Sequence, residues 1–115
     1  PTEHVVYTFA LALRSIRWEL HKRYSDFVHI DRRLRSAFSD AKLDHILGPS
    51  RLPGKAYLDK SSSRLMDLRK RRLELYLRAL VTHRAMARSD LVRNFLQLPD
   101  ELYSHPQGGD AEEQR

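Results

Sequence analysis

The chain has 115 residues, of which 41% are hydrophobic and 31% are charged, as is typical of one globular domain and not of a disordered chain. The absence of cysteine excludes a disulfide framework, a thiolate metal site and a thiol nucleophile, and no apolar run approaches the ~20 residues of a membrane-spanning helix. The formal net charge of +6 favours an anionic partner, with a solvated basic surface as the alternative, and without a visible secretory signal pattern we expect a cytoplasmic protein.

Two strands are predicted at the start of the chain. Residues 5–13 alternate large and small side chains with a period of two, and residues 16–20 alternate again after a short connection. Strands this close in sequence are expected to pair as an antiparallel hairpin. Because a two-stranded hairpin is marginal alone, a third strand is expected before Pro1 or within the first residues.

A helical period begins after the second strand. Apolar residues lie at i, i+3, i+7 and i+11 from Phe27, which predicts an amphipathic helix of about three turns. Ser25 is the predicted N-cap residue. Three arginines, Arg35 among them, are assigned to the solvent side of this helix, and Asp31 is interpreted as a surface charge.

A proline-rich segment separates this helix from the next one. In residues 48–55, GPSRLPGK, Pro49 and Pro53 fix φ and bias the residues before them towards extended conformations. The segment is therefore predicted to be a polyproline-like arch and not a helix. The second helix is predicted to run from the serines at 61–63 to about His83.

A last helix is predicted from Ser89 to Pro99, and an acidic segment follows it. Residues 100–115 carry five carboxylates against Arg115, a net charge of −4 that leaves +10 on residues 1–99. The segment also contains glycine and proline. We therefore predict a folded domain over 1–99 and a mobile tail or linker over 100–115.

One arginine interrupts the apolar stripe of the second helix. The stripe includes Leu73, Tyr76 and Leu77, and Arg69 occupies the position one turn before Leu73. An arginine at such a position reaches out to solvent, pairs with a core carboxylate or holds an anionic ligand. The sequence leaves these three alternatives open.

Several motifs, in order, resemble the pattern of PX (phox-homology) domains over residues 5–98. They are KRYSDF at 22–27, the proline-rich segment ending in LPGK, RKRRLELYLRAL, and the closing NFLQL. The HKRYSDF and NFLQL segments look most like those of the vacuolar SNARE-type PX proteins of fungi. The resemblance implies an α+β fold, in which a small antiparallel sheet packs on a helical subdomain with a Pro-rich arch. Of the three strands in the family, the first is short or missing here.

The same resemblance implies a site for phosphatidylinositol 3-phosphate. Arg23 matches the arginine that grips the 3-phosphate, and Tyr24 matches the aromatic residue that packs against the inositol ring. Lys55 matches the lysine that meets the 1-phosphate, and Arg69 matches the helix arginine that hydrogen-bonds the 4- and 5-hydroxyls. The arginine on the apolar stripe and the basic strand end would then face one pocket.

The resemblance also implies how the module attaches to a membrane. Tyr57 and Leu58 fall where PX domains carry a membrane-inserting loop, with ordinary packing as the alternative. The implied function is to tether a trafficking protein to an endosomal or vacuolar (lysosomal) membrane. Other proteins of the trafficking machinery are possible partners, and no cofactor is expected.

We find no catalytic or metal-binding pattern, and no enzymatic activity is expected. The six histidines lack the H-x-x-x-H and H-E-x-x-H spacings of metal sites on a helix. Two alternative functions are a PX-fold protein-interaction module without lipid binding and a basic helical nucleic-acid binder. The second is disfavoured because aromatic residues are not interleaved along the arginine-rich helices, so no nucleic-acid partner is expected.

Overall fold

The computed structural model describes residues 5–54 and 63–99. Within these ranges an antiparallel hairpin is followed by helices, which is the predicted α+β class. The elements are β1 (Val6–Leu13), β2 (Ile16–Arg23), α1 (Tyr24–Phe38), α2 (Asp40–Leu47), a 3-10 turn (Gly48–Ser50), α3 (Ser63–Thr82), α4 (Arg84–Ala87) and α5 (Asp90–Leu96).

The predicted hairpin is confirmed. β1 and β2 pair antiparallel, with Phe9 opposite Leu20 and Leu13 opposite Ile16. Arg14 has a left-handed φ of 59°, which a tight two-residue hairpin turn requires because it must match the twist of the strands. The two-stranded sheet of the described residues fits the expectation that the first strand of the family is short or missing.

The first helix begins earlier and runs longer than predicted. Its N-cap residue is Arg23 and not Ser25, because the Asp26 carboxylate accepts a hydrogen bond from the Arg23 backbone N–H at 2.8 Å. This bond satisfies a backbone donor at the helix start. The helix has 15 residues, about four turns, and ends at Phe38.

A short helix, α2, lies where the sequence analysis predicts no element. The Ser39 side chain accepts a hydrogen bond from the Lys42 backbone N–H at 3.1 Å and caps the helix start. Only Leu43 and Leu47 are buried in α2. Two buried residues are too few for a helical period to stand out in the sequence.

The proline-rich segment is partly helical, which corrects the predicted arch. Gly48–Ser50 form the 3-10 turn, and Pro49 sits in its first positions, where a missing N–H breaks no hydrogen bond. Residues 51–54 have no regular secondary structure. The exclusion of a helix is therefore wrong for the first half of the segment.

The later helices match their predicted positions. α3 ends at Thr82, one residue before the predicted end. α5 follows Ser89, whose side chain accepts from the Val92 backbone N–H at 3.2 Å as an N-cap. The short helix α4 between them is not predicted. None of the helices in the described ranges has the length and apolarity needed to span a bilayer.

The core lies between the hairpin and helices α1, α3 and α5. Phe27 of α1 sits at its centre and makes edge-to-face contacts with the rings of Phe9, Tyr76 and Phe95 at centroid distances of 5.9, 6.0 and 5.1 Å. Each such pair stabilises the fold by about 0.5–1.5 kcal/mol in addition to the free energy gained by burying the area of its rings. Phe27 therefore packs the first helix against both the sheet and helices α3 and α5.

Candidate lipid-binding site

The junction between β2 and α1 presents an arginine from a fixed backbone. Arg23 ends β2 and caps α1, and the Asp26 carboxylate holds its backbone N–H. Its side chain is exposed. Among the described residues, no hydrogen bond or ion pair engages the Arg23 guanidinium, and an arginine has donors only, so it is available for an anion.

The next residue ties this junction to the proline-rich segment. Tyr24 is partly buried, and its hydroxyl donates a hydrogen bond to the Pro53 carbonyl at 2.8 Å, across 29 residues of sequence. Burial raises the pKa of the Tyr24 hydroxyl, and the negative charge of Asp31 raises it further. The hydroxyl therefore stays protonated at neutral pH and acts as the donor of this bond.

Arg69 lies on the inward stripe of α3, as predicted. It is 3% exposed, and Leu73 one turn later is fully buried. So small an exposure excludes the alternative in which the guanidinium reaches out to solvent. The remaining alternatives for Arg69 are a carboxylate partner and an anionic ligand.

The structure brings together part of the predicted site. The β2–α1 junction meets the proline-rich segment through the Tyr24 hydroxyl, and α3 contacts the same segment at its 3-10 turn. Lys55, Tyr57 and Leu58 lie outside the described residues. Among the described residues, no cluster of three metal-binding side chains is present.

A polar network behind this site was missed by the sequence analysis. The side chain of Asp31 is only 14% exposed and accepts hydrogen bonds from Arg35 Nε at 2.6 Å and from the Tyr76 hydroxyl at 2.9 Å. The interpretation of Asp31 as a surface charge is therefore wrong. The i, i+4 spacing of Asp31 and Arg35 on one helix is the signal that could have indicated the pair.

Arg35 belongs to this network and not to the solvent side of α1. Its Nη1 atom donates to Asp44 of α2 at 2.9 Å, so one guanidinium joins two carboxylates. The hydrogen bond to Asp31 is the main cause that raises the pKa of Arg35. The pKa of Tyr76 is also raised, first by burial and then by the charge of Asp31.

Comparisons with known proteins agree with this architecture. The family model of the PX domain matches residues 13–99. The X-ray structure of a designed CISK-PX domain is similar with a TM-score of 0.69 and 27% identity, over 83% of this chain and 84% of that one. A probable serine/threonine-protein kinase of Dictyostelium discoideum is 36% identical over 81 residues, which are 70% of this chain and 4% of that protein.

The hairpin, the arginine-bearing junction and the helices that follow form a small α+β module. The chain belongs to the PX domain family, since the family model covers most of its length. It is therefore, in general terms, a phosphoinositide-binding, membrane-targeting module, and the PX domains to which it belongs are lipid-binding modules that are generally non-enzymatic. The likeness to fungal vacuolar SNARE-type PX proteins stays a prediction.

Proposed function

We propose that this PX domain binds phosphatidylinositol 3-phosphate and targets a trafficking protein to endosomal or vacuolar membranes. The observation that carries the proposal is the hydrogen bond from the Tyr24 hydroxyl to the Pro53 carbonyl. It joins the strand end that bears Arg23 to the segment that leads, in sequence, to Lys55. Two cationic positions far apart in sequence can then serve one ligand.

The proposed roles follow from the chemistry of the side chains. A phosphomonoester offers oxygens that the planar Arg23 guanidinium can grip with two parallel hydrogen bonds. Lys55 is a point charge suited to the 1-phosphate diester. The Tyr24 ring packs against the inositol ring.

Arg69 is the proposed source of selectivity for the 3-phosphate. A guanidinium held on the inward face of α3 would donate to the free 4- and 5-hydroxyls of the inositol ring. Phosphates at these positions would crowd a site shaped around hydroxyls. Selectivity would then come from the limited space around Arg69 and not from net charge.

Attachment to the membrane adds two weaker contributions to head-group binding. The +10 charge of residues 1–99 attracts an anionic surface by about 1 kcal/mol for each Lys or Arg near it. Tyr57 and Leu58 insert into the bilayer interface in this proposal. The domain spans residues 1–99, and residues 100–115 form a tail or linker.

A liposome co-sedimentation panel tests the proposal. Vesicles of equal net charge would carry the 3-phosphate, the 4-phosphate or the 4,5-bisphosphate of phosphatidylinositol, with an oligonucleotide as a soluble competitor. We expect preferential binding to the 3-phosphate vesicles and no competition by the oligonucleotide. Equal binding to all three vesicles would reduce the interaction to bulk charge and contradict the assigned site.

A further inference from the structure

The Tyr24 hydroxyl is already used inside the protein. A tyrosine has one O–H donor, and that of Tyr24 points to the Pro53 carbonyl at 2.8 Å. The raised pKa of Tyr24, caused by burial and by Asp31, keeps this proton in place. In the proposed site, the ring of Tyr24 is therefore left for the ligand, while its hydroxyl has a different task.

Few other polar contacts hold the part of the proline-rich segment that contains the acceptor of this bond, the Pro53 carbonyl. The Pro53 ring is fully buried, and Leu52 packs partly against the core. The ion pair between Arg51 and Asp44 is long, at 3.8 Å, and exposed, so it contributes little. Within the described part of the chain, the hydroxyl of Tyr24 is the hydrogen-bond donor that fixes residues 51–54 to the β2–α1 junction.

We propose that Tyr24 is a positioning residue whose hydroxyl holds the proline-rich segment at the spacing from Arg23 that a ligand with two phosphates requires. This inference rests on the proposed function and deepens it. Arg23 contacts the 3-phosphate in that function, and the segment supplies the contact to the 1-phosphate. Loss of the hydroxyl should therefore weaken the contact to the 1-phosphate and leave the contact to the 3-phosphate unchanged.

The experiment compares Tyr24→Phe with Tyr76→Phe in the full chain. Both variants keep an aromatic ring and lose one hydroxyl hydrogen bond, but the hydroxyl of Tyr76 bonds Asp31 and not the proline-rich segment. Calorimetric titration would use two soluble probes, inositol 1,3-bisphosphate and inositol 3-phosphate. Amide ¹⁵N relaxation of Gly54 would report the mobility of the segment.

For Tyr24→Phe we expect about fivefold weaker binding of the bisphosphate, the effect of one net hydrogen bond, and unchanged binding of the monophosphate. Gly54 should become more mobile. Tyr76→Phe should lower the melting temperature, weaken neither probe and leave Gly54 as it is. A merely structural role for the Tyr24 hydroxyl would not separate the two probes.

Two results would overturn the inference: an equal loss for both probes in Tyr24→Phe, or a Gly54 amide that does not respond. If the unmodified chain bound neither probe, the proposed function would fail, and the relaxation of Gly54 would then decide the positioning role alone. An immobile Gly54 in Tyr24→Phe would refute it in that case as well.

Discussion

Arg23 and Arg35 lie on the same continuous β2–α1 unit, yet their side chains differ in exposure and in their carboxylate partners. The side chain of Arg35 is 24% exposed, and its guanidinium contacts the carboxylates of Asp31 and Asp44 at 2.6 and 2.9 Å. That of Arg23 is exposed and has no such partner in the described part of the chain. A paired arginine joins elements of the fold, whereas an unpaired one on a fixed backbone is available to a ligand.

This comparison shows why the basic composition is only a partial guide to function. Net charge counts Arg23 and Arg35 equally. The field of Arg35 is largely cancelled a short distance away by the neighbouring carboxylates of Asp31, Asp44 and Asp40, while the field of Arg23 reaches an approaching anion. The arginines should therefore separate into residues that affect stability and residues that affect binding.

The largest expected effect is on binding, in Arg23→Ala. Removal of the partner of a phosphate in a partly desolvated site should cost about 2–5 kcal/mol, by analogy with truncated charge pairs. Sedimentation with vesicles containing phosphatidylinositol 3-phosphate should fall at least tenfold, and the melting temperature should barely move. Arg17→Ala, an equal change in charge at an exposed position of β2, is the control. Equal losses in both variants would contradict the assignment of Arg23.

The opposite result is expected for Arg35→Leu. The change removes the ion-pair partner of Asp31, whose side chain is 14% exposed and keeps the hydrogen bond from the Tyr76 hydroxyl. It should lower the free energy of unfolding by about 3 kcal/mol, the low end for a broken buried pair. Urea denaturation measures this loss. The folded protein should still bind the soluble head group.

Arg78→Leu is the matched control for that change. Its guanidinium lies 3.5 Å from Glu74 at an exposed i, i+4 position, so its loss should cost about 0–1 kcal/mol. If Arg35→Leu unfolded no more easily than Arg78→Leu, the Asp31–Arg35 pair would not be structural, and the comparison with Arg23 would lose its basis.

A third change tests whether membrane attachment is separate from head-group capture. Tyr57→Ala/Leu58→Ala should weaken vesicle binding by at most about 1.5–3 kcal/mol per side chain, and by less if the residues reach only the interface. Affinity for the soluble head group should not change. The insertion contribution should persist at high salt, whereas the charge contribution is screened. Parallel losses for vesicles and head group would assign these residues to the pocket or the core.

The smallest expected effect is a dependence of stability on alkaline pH. The pKa of Tyr76 is raised in the folded state, so above the unfolded value of about 10 the unfolded chain loses its proton first. The contribution of the Tyr76 hydroxyl to the free energy of unfolding is therefore fully present below pH ~10. It is lost as the pH rises above that value, by at most about 1.4 kcal/mol per pH unit. Urea unfolding from pH 8 to 11 should show a shallower decline in Tyr76→Phe. If the free energy of unfolding declined with pH at the same rate in both proteins, the Tyr76 hydroxyl would not be the group responsible for the decline.

The sequence predicted those elements whose signal is local and repeated. The hairpin and α3 follow from their periods of two and 3.6, and α5 follows from its cap at Ser89. It did not predict α2, which buries only two side chains, or the start of α1, which depends on a carboxylate reaching back to a backbone N–H. Short elements and helix ends are decided by single contacts that a periodicity does not record.

The candidate site divides in the same way. The motif around Arg23 and the inward position of Arg69 were evident from the sequence, because a periodic pattern exposes a charge that does not fit it. The partners of the other charges were not evident. The i, i+4 spacing of Asp31 and Arg35 is a local signal for their pair, but Asp31 and Tyr76 meet across two helices far apart in sequence, and no local pattern indicates that contact.

By itself the sequence therefore determined the class of fold, the order of its main elements and the arginines that break its apolar pattern, since these depend on neighbours along the chain. Only the tertiary structure decided that Arg35 is paired while Arg23 is exposed, and that Tyr24 reaches Pro53. Hydrogen bonds and close ion pairs need their two heavy atoms about 3 Å apart, so they depend on which distant segments the packed core brings together. The core of Phe27 and its aromatic neighbours sets that arrangement.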